Sequence, residues 1–315
     1  MRIIALVFTC LLAVTACNQV DGLQPVKPGA VPSVLIRHVT DQFPQAENLV
    51  FKPLLEKRVW EVKFDAGNDK YESLVDSLKI WETMRYNPDE LPAQMTDLMN
   101  SSAFKGGTFS ENREAIGFYN TGSRRNKNIY TFHGTDYIFD WLNVDGKLAG
   151  AMFQRGLYLI GVQDQKQLPD KIQRYLAENA ELKFRHAELR VLLNYENIFE
   201  VEIGYVKDGR ERVVYLYFDN NADLKCFTWG FNEPQSGGSP RNFDQIPDKI
   251  QQYLDESPEL ADFQTSPVAG YQWMSEYKGV KSYTIKFRHK VRSEECEFRF
   301  DMDGNLFYKM YFFNN

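Results

Sequence analysis

The side chains that could support catalysis are sparse in this chain. Its four histidines are scattered along the sequence: His38, His133, His186 and His289. None stands at the paired spacing of a zinc site, and His289 continues the apolar face of a predicted strand, which favours a core histidine. Cys226 and Cys296 have no nearby histidine in a pattern typical of a catalytic thiol, and the common nucleophile, phosphate and dinucleotide motifs are missing. We therefore expect no enzymatic activity, no metal and no cofactor.

The run Asp301-Met302-Asp303-Gly304 suggests calcium at first sight. A calcium-binding EF-hand loop needs glycine at its sixth position and glutamate at its twelfth, whereas glycine is the fourth residue of this run. An Asp-Gly pair between two strand-like segments favours a tight hairpin in which glycine takes the left-handed conformation. The sequence thus predicts a turn here rather than a metal site.

Cys17 carries the clearest chemical prediction. Met1-Arg2 precedes an apolar run at residues 3–14, which has the order of an export signal and is too short to span a bilayer. The run ends in Leu12-Ala13-Val14-Thr15-Ala16-Cys17, which resembles the lipobox of bacterial lipoproteins, where the cysteine is acylated and becomes the new N-terminus. The alternative is ordinary signal cleavage beside an incidental cysteine.

Lipidation would fix where the protein works. We expect residues 1–16 to be a signal peptide and residues 17–30, rich in glycine and proline, to be a flexible tether. Acyl chains on Cys17 would hold the protein at a membrane, since no later segment approaches the ~20 apolar residues needed to span one. The predicted location is that of an exported, membrane-anchored lipoprotein facing the periplasm from the outer membrane, with the leaflet left open.

Length and composition describe an ordinary globular protein. The 315 residues are 43% apolar and 25% charged, enough for about two domains. The net charge of −6 shows no basic surplus, which argues against a nucleic-acid partner. Cys226 and Cys296 allow either one disulfide in an oxidising compartment or two buried thiols, and the sequence leaves both open.

A short motif recurs along the chain. Its copies occupy residues 31–39, 91–99, 168–176 and 246–254, the last two being almost identical. In each copy the second residue is a proline, and apolar residues follow it at helical spacing, as at Ile172, Tyr175 and Leu176. The pattern predicts four similar units, each beginning with a short helix.

Alternating segments follow the third and fourth predicted helices. Residues 199–205 and 283–289 alternate apolar with polar side chains, the pattern of an antiparallel strand covered on one face. A second landmark closes these units: residues 300–306, Phe-Asp-Met-Asp-Gly-Asn-Leu, match residues 218–224 and, in the second unit, residues 142–148. The first unit lacks this landmark, which suggests a tighter or a degraded hairpin there.

The helix motif, the alternating strands and the Asp-Gly hairpin together resemble the PepSY-like repeat, in the tandem form grouped with the beta-lactamase inhibitory protein fold and found in exported lipoproteins of Bacteroidetes. The resemblance implies one helix and about four antiparallel strands per repeat, with two repeats joined in one continuous sheet. We therefore expect an α+β fold of four helix-plus-antiparallel-sheet repeats in two tandem modules, at residues 31–161 and 168–315, with the helices on one face of each sheet. Residues 163–167 are the predicted linker, and residues 232–242 are the predicted loop within the second module.

The helix-free face of the predicted sheets carries the candidate binding residues. Successive strand residues alternate sides, so the neighbours of Phe300 and Leu306 should point away from the helix. The same register across the units places one set of aromatic and basic side chains on this face: Trp141, Phe153, Tyr215, Tyr217, Phe227, Trp229, Lys286, Arg288, Arg299, Lys309 and Tyr311. Exposed aromatics beside arginine are typical of protein-binding hot spots. The alternatives are that another part of the protein covers this face, or that cross-strand aromatic pairs only stiffen the sheet.

The sequence thus predicts a lipid-anchored, non-enzymatic binding protein that holds a protein or peptide of the cell envelope on its open sheet face. The resemblance implies inhibition or chaperoning of an exported enzyme. One alternative is a glycan-binding, structural or sensory lipoprotein of the envelope, in which the aromatic side chains stack on sugars. Another is a hydrolase whose site has no recognisable motif. The oligomeric state stays open.

Overall fold

A computed structural model of the chain describes residues 31–55, 58–87, 91–116, 123–144, 147–154, 156–194, 196–207, 209–229, 246–261, 263, 269–277, 280–289, 292 and 294–313. Its α-helices are α1 (Ser33–Gln42), α2 (Ala93–Ser101), α3 (Asp170–Glu178) and α4 (Asp248–Glu256). They fall short of the length and apolarity that a helix crossing a bilayer needs, within the described part of the chain.

The strands form four consecutive groups. The first group is β1 (Ala46–Leu55), β2 (Val59–Ala66), β3 (Asp69–Val75) and β4 (Ile80–Tyr86). The second is β5 (Thr108–Ala115), β6 (Ser123–Phe132), β7 (Thr135–Val144) and β8 (Lys147–Gln154). The third is β9 (Gly156–Val162), β10 (Lys183–Leu192), β11 (Asn197–Lys207), β12 (Arg210–Phe218) and β13 (Leu224–Trp229). The fourth is β14 (Ala269–Tyr277), β15 (Val280–Arg288), β16 (Glu294–Phe300) and β17 (Leu306–Phe313).

Each α-helix begins directly after a proline. Pro32, Pro92, Pro169 and Pro247 keep φ between −57° and −52° and ψ between 129° and 143°, so each is the last extended residue before its helix rather than the first helical one. The residues three and seven places after each proline are buried: Leu35, Val39, Met95, Met99, Ile172, Leu176, Ile250 and Leu254. Because positions four apart share one face of a helix, each helix buries a single apolar stripe.

Strand pairing gives two antiparallel sheets within the described residues. One has twelve strands in the order β1-β2-β3-β4-β5-β6-β7-β8-β17-β16-β15-β14, and the other has five in the order β13-β12-β11-β10-β9. The fourth strand group therefore joins the second, through β8 and β17, where Met310 pairs with Gln154 and Phe313 with Ala151. The third group stands in a sheet of its own.

The expected α+β fold of four repeats in two tandem modules is wrong. The structure is mostly antiparallel β, and the third and fourth strand groups, expected to share one sheet, lie in different sheets. The cause is β9, which leaves the second group and pairs with β10 along Leu159 to Val162. The edge of β8 is then free, and β17 pairs with it, as a sheet edge requires a partner or a cover. The domain boundaries at residues 161 and 168 stay a prediction.

The four helices pack on three separate clusters of core residues. The residues that pack on α1 form one core cluster, centred on Trp60 and Val62. The residues under α2 and α4 form a second cluster that both helices share, and it includes Phe139 and Phe298. The residues under α3 form a third cluster, which also takes in Leu54 and other side chains of the first strand group. The two sheets are thus packed together rather than separate.

The Asp301–Gly304 run forms the hairpin between β16 and β17. One oxygen of the Asp301 carboxylate accepts hydrogen bonds from the backbone N–H groups of Asp303 and Asn305, at 3.0 and 2.8 Å. Gly304 has a φ of +75°, the left-handed conformation that glycine adopts at no steric cost. The prediction of a turn at this run is confirmed. Cys226 and Cys296 are both buried and unbonded, which decides between the two alternatives that the sequence left open.

Candidate functional site

The aromatic residues predicted on an open sheet face lie in the interior. Tyr217 is 1% exposed, and Phe227 and Trp141 are equally well buried. Burial also raises the pKa of Tyr217 well above the ordinary tyrosine value. The prediction that these three side chains form an exposed binding face is wrong.

A bulge in β13 explains why Phe227 lies on the opposite face from the one expected. Tyr217 pairs with Cys226 but its neighbour Phe218 pairs with Leu224, so Lys225 is an extra residue on one strand. Because side chains alternate along a strand, one extra residue moves every later side chain to the other face. Phe227 therefore pairs with Leu216 and lies in the core beneath α3.

The fourth strand group contains the same irregularity. Phe300 pairs with Leu306 whereas Arg299 pairs with Tyr308, so Phe307 is the extra residue. Lys309 and Tyr311, expected on the helix-free face, instead belong to the side that α4 covers. The polar ends of both side chains contact the buried carboxylate of Glu259. Lys309 Nζ and Tyr311 Oη both lie 2.8 Å from Glu259 Oε1.

The sequence-based alignment assigns Trp141 to the wrong face of its sheet for a related reason. The strand β7 ends at Val144 and β8 begins at Lys147, which is a shorter connection than the one between Phe300 and Leu306. Aligning the two hairpins by their Asp-Gly pairs therefore assigns Trp141 to the wrong face. The Trp141 ring lies in the cluster beneath α2 and α4.

The helix-free faces of the third and fourth strand groups cover each other. The Arg299 guanidinium lies 4.6 Å from the centroid of the Tyr217 ring, and Phe307 meets the same ring edge-on at 6.3 Å. Ser282 Oγ donates a hydrogen bond to the backbone carbonyl of Phe227 at 2.8 Å. The face proposed for a partner is thus an internal interface between two sheets, the alternative that the sequence analysis left open.

The remaining predicted residues do not form one surface. Tyr215 is half-buried. Lys286 forms an ion pair with Glu297 at 2.5 Å, and the exposed Arg288 donates to Glu295 at 2.5 Å, so both cations have carboxylate partners within their own sheet. Phe153 and Trp229 lie on β8 and β13, where their side chains are outside the described structure. Cys17, the predicted lipidation site, also lies outside the described residues.

The structure contains a different concave site, between the first and second strand groups. It is a cleft of about 610 Å³, a size typical of ligand pockets. Four asparagines line it: Asn68, Asn87, Asn112 and Asn128. Tyr86 and Phe109 supply aromatic walls. We call this site the asparagine cleft.

The asparagine cleft forms because β4 and β5 separate. These strands pair over only three positions, from Met84 with Ala115 to Tyr86 with Arg113. The strand β5 then bulges, since Ser110 pairs with Ile129 and the next pair is Arg113 with Lys127. The intervening Glu111 has a φ of +49°. This left-handed conformation costs free energy for any residue that carries a side chain. The bulge turns Glu111 and Asn112 to the wall of the cleft.

A buried amide in the cleft wall has an unused acceptor. Asn128 is 1% exposed, and its Nδ2 donates to Asn112 Oδ1 at 2.9 Å. Its own Oδ1 has no hydrogen-bond partner among the described residues. A buried polar atom without a partner costs about 1 to 3 kcal/mol, so such atoms usually meet a ligand or water. The unused acceptor of Asn128 lies beneath the surface of the cleft wall, and a donor in the cleft reaches it only if neighbouring side chains shift.

Tyr86 connects the asparagine cleft to a buried charged network. Its hydroxyl donates to Glu72 Oε2 at 2.7 Å, and Glu72 is almost fully buried. Tyr158, from the five-stranded sheet, donates its single hydroxyl proton to the other oxygen of Glu72, and its Oη atom lies 3.2 Å from Glu61 Oε2. The Arg113 guanidinium lies 5.1 Å from the centroid of the Tyr86 ring. These contacts fix the ring in one orientation at the cleft wall.

The network keeps Glu72 ionised. Burial alone would raise the pKa of Glu72, but Arg113 and Lys63 outweigh it, and the pKa is lowered. Burial beside this carboxylate raises the pKa of Tyr86 to about 12, so its hydroxyl stays protonated and remains a donor. The charged groups are thus engaged with one another, and the neutral amides and rings are left to meet a ligand.

The lining of the asparagine cleft offers groups that bind a polar molecule. Among its described residues it contains no histidine or cysteine that would act as base or nucleophile. Its acidic residues Asp69 and Glu111 form ion pairs with Arg85, at 3.7 Å, and with Arg113. Amides and aromatic rings offer hydrogen bonds and stacking surfaces, which are the means of recognising a neutral polar molecule.

A second cavity, of about 240 Å³, lies beside α4. Lys309 and Glu259 line it but form an ion pair with each other at 2.8 Å. The Coulomb attraction of Glu259 and neighbouring tyrosines outweighs burial and raises the pKa of Lys309. This buried pair is a structural contact, and it leaves the asparagine cleft as the stronger candidate site.

Sequence reasoning missed the asparagine cleft, although a signal was present. The segments Ser110-Glu111-Asn112-Arg113 and Asn126-Lys127-Asn128 interrupt strands with consecutive polar residues. A strand with one buried face should alternate, so polar residues at adjacent positions indicate that both faces need polar surroundings. These segments lie on β5 and β6 and meet at Asn112 and Asn128.

The comparisons with known proteins leave the family open. The resemblance to PepSY-like repeats stays a prediction. No family model matches this chain, and no curated protein sequence matches it.

Proposed function

We propose that this chain is a lipid-anchored, non-enzymatic binding protein of the cell envelope, related to the PepSY-like repeats, and that it holds a glycan in the asparagine cleft. The observation that carries this proposal is the Oδ1 atom of Asn128, which is buried in the cleft wall and has no hydrogen-bond partner in the part of the chain that the structure describes. A sugar hydroxyl is a donor of the right kind for this atom.

The rest of the lining supports a glycan. Sugars present adjacent hydroxyls, and an asparagine amide offers a donor and an acceptor side by side. The Tyr86 and Phe109 rings provide apolar faces against which the C–H groups of a sugar ring stack. The acidic residues Asp69 and Glu111 form ion pairs with arginines, and the third charged residue of the lining, Lys70, is exposed to solvent, so a neutral ligand faces no unpaired buried charge there.

A protein or peptide partner, the leading prediction from the sequence, has lost its proposed contact surface. Tyr217, Phe227 and Trp141 would have to leave the core to reach a partner. The glycan alternative needs only a local side-chain shift at Asn128, because the other groups already line a cleft. We therefore prefer the glycan.

Retention on a solid matrix tests the proposal. The mature chain with Cys17→Ser, which removes the acylation site, is passed over insoluble peptidoglycan, over a neutral polysaccharide and over a denatured-protein matrix. Retention on one of the two glycan matrices alone is expected. Asn128→Ala should reduce it about tenfold, the effect of losing one good hydrogen bond in a binding site. Asn87→Ala changes a less buried wall position, so a loss of retention in this variant does not arise from a folding defect. Asn221→Ala, in an exposed turn, is the matched control. Equal retention of all variants, or binding to the protein matrix only, would reject the proposal.

A further inference from the structure

The turn between β3 and β4 exposes two large apolar side chains. Leu78 is 81% exposed and Trp81 is 42% exposed. They lie three positions apart, at the end of the first strand group nearest α1. Single exposed apolar residues are common, whereas a leucine and a tryptophan displayed on one turn point to a contact with an apolar partner.

This turn is held in one shape by Asp76. The Asp76 carboxylate accepts hydrogen bonds from the backbone N–H groups of Leu78 and Lys79, at 2.7 and 2.8 Å. It also accepts one from the Trp81 indole N–H at 2.7 Å. The Lys79 ammonium lies 4.2 Å from the centroid of the Trp81 ring. The side chains are thus displayed outward at little entropic cost to a partner.

The helix that follows the predicted tether contacts this turn. The His38 Nε2 atom of α1 lies 3.2 Å from the Ser77 carbonyl oxygen. Since α1 begins at Ser33, its first residue is five helical steps, or about 7.5 Å, along the axis from His38. The chain outside the described residues therefore joins the fold close to the Leu78–Trp81 turn.

The predicted anchor is within reach of this turn. Fourteen steps of chain separate Cys17 from Val31, and they extend at most about 48 Å. A membrane that holds acylated Cys17 therefore lies within about 48 Å of Val31, which directly precedes α1 and the turn beside it. The anchor concentrates the turn at a lipid surface.

We propose that the Leu78–Trp81 turn inserts its two apolar side chains into the headgroup region of the membrane that holds Cys17, and so orients the protein on that membrane. This inference rests on the lipid anchor in the proposed function. Tryptophan suits the headgroup region because its ring is apolar while its N–H is polar, and leucine adds apolar area below it. The Lys79 ammonium, which lies over the Trp81 ring, adds a positive charge to the same turn for the lipid phosphates. Acyl chains bind more firmly when a second membrane contact assists them.

Site-specific fluorescence quenching tests this contact. The full acylated chain with Leu78→Cys is labelled with an environment-sensitive thiol dye and reconstituted in vesicles of phosphatidylethanolamine and phosphatidylglycerol containing brominated lipid. Labelling is selective because Cys226 and Cys296 are buried, with the Cys226 pKa raised to about 12, and Cys17 is acylated. The matched control is Met302→Cys, at another exposed turn. We expect at least about twofold stronger quenching at position 78, as for side chains that enter the headgroup region.

Three other outcomes would overturn the contact. Equal quenching at positions 78 and 302 in chains that float with the vesicles rejects the membrane contact while leaving the anchor intact. Chains that fail to float reject the anchor, and the contact with it. A photoreactive thiol reagent placed on Leu78→Cys in isolated cell envelopes assigns the turn to a protein partner if it crosslinks to an envelope protein while the dye in vesicles is not quenched by lipid.

Discussion

The Tyr86 hydroxyl donates a 2.7 Å hydrogen bond to the buried Glu72 carboxylate, which connects the wall of the asparagine cleft to the charged network between the two sheets. Glu72 also receives a hydrogen bond from Tyr158, which lies on β9 in the other sheet. One carboxylate therefore orients a ring of the cleft and joins the two sheets. The shape of the proposed binding site depends on this joint.

Removing the Tyr86 hydroxyl should destabilise the protein. Tyr86→Phe keeps the ring but takes one donor from an ionised, buried carboxylate, a change expected to cost about 1.5 to 3 kcal/mol. Urea denaturation measures the loss. Tyr71→Phe is the control, because its partly exposed hydroxyl makes a longer 3.4 Å contact to Asp69 and its removal should change stability by less than about 0.5 kcal/mol. Equal stability of the two variants would contradict the described network.

Acid should unfold the protein through its buried carboxylates. Glu72, Glu259 and Glu297 all have lowered pKa values, in each case because nearby cations and hydrogen bonds outweigh burial. A carboxyl group with a pKa lower in the folded state stabilises the fold above its unfolded pKa of about 4.3, and this stability is lost as the pH falls through the folded pKa. The urea midpoint should therefore fall steeply below about pH 4.

The variant Glu72→Gln isolates one part of that pH dependence. It cannot ionise, so it should be less stable than the parent at pH 7 and should lose less stability on acidification. Glu295→Gln, at a partly exposed position, is the control. A pH dependence of the urea midpoint that is unchanged in Glu72→Gln would contradict the lowered pKa of Glu72.

Tyr217 distinguishes an internal interface from an open binding face. Tyr217→Ala removes a fully buried ring beneath Arg299 and should cost about 3 to 5 kcal/mol of stability. Tyr215→Ala, at the half-buried neighbour, should cost clearly less. Thermal unfolding of both variants measures the difference. A Tyr217→Ala variant as stable as the parent would place that ring on an exposed surface after all.

The pairing of β8 with β17 is open to a covalent test. Met152 and Phe312 are Cα partners across these strands, and paired antiparallel residues lie about 4.5 to 5.5 Å apart, within the range of a disulfide. Met152→Cys with Phe312→Cys should crosslink on mild oxidation, as read by mass spectrometry of the linked peptides. Each single variant should not. Failure of the double variant to crosslink would contradict the twelve-stranded sheet.

The sequence was sufficient for local structure. The helices at residues 168–176 and 246–254 and the burial of Ile172 and Leu176 follow from proline and apolar spacing, and the structure confirms them as α3 and α4. The hairpin at Asp301–Gly304 follows from turn chemistry. These features depend on residues close together in the chain, where propensity and spacing act directly.

The sequence was insufficient for strand faces and sheet partners. A single extra residue, Lys225 in β13, reverses the faces of all later residues in the strand, and no local pattern reveals it. The partner of β8 is β17, more than 150 residues away in the chain, and this choice depends on which edges are left free once β9 has crossed to the other sheet. The asparagine cleft depends on the separation of β4 from β5, and the consecutive polar residues of β5 and β6 indicate polar surroundings without revealing that separation.

Glycan binding by the asparagine cleft is tested most directly by titration calorimetry of soluble peptidoglycan-derived and neutral polysaccharide oligosaccharides into the Cys17→Ser mature chain. We expect saturable binding of one oligosaccharide class to the parent and to Asn221→Ala. Binding should be about tenfold weaker in Asn87→Ala and in Asn128→Ala. The thermal stability of Asn87→Ala should equal that of the parent. No heat of binding for either class, or equal affinity in all four proteins, would contradict the assignment of the cleft as the binding site.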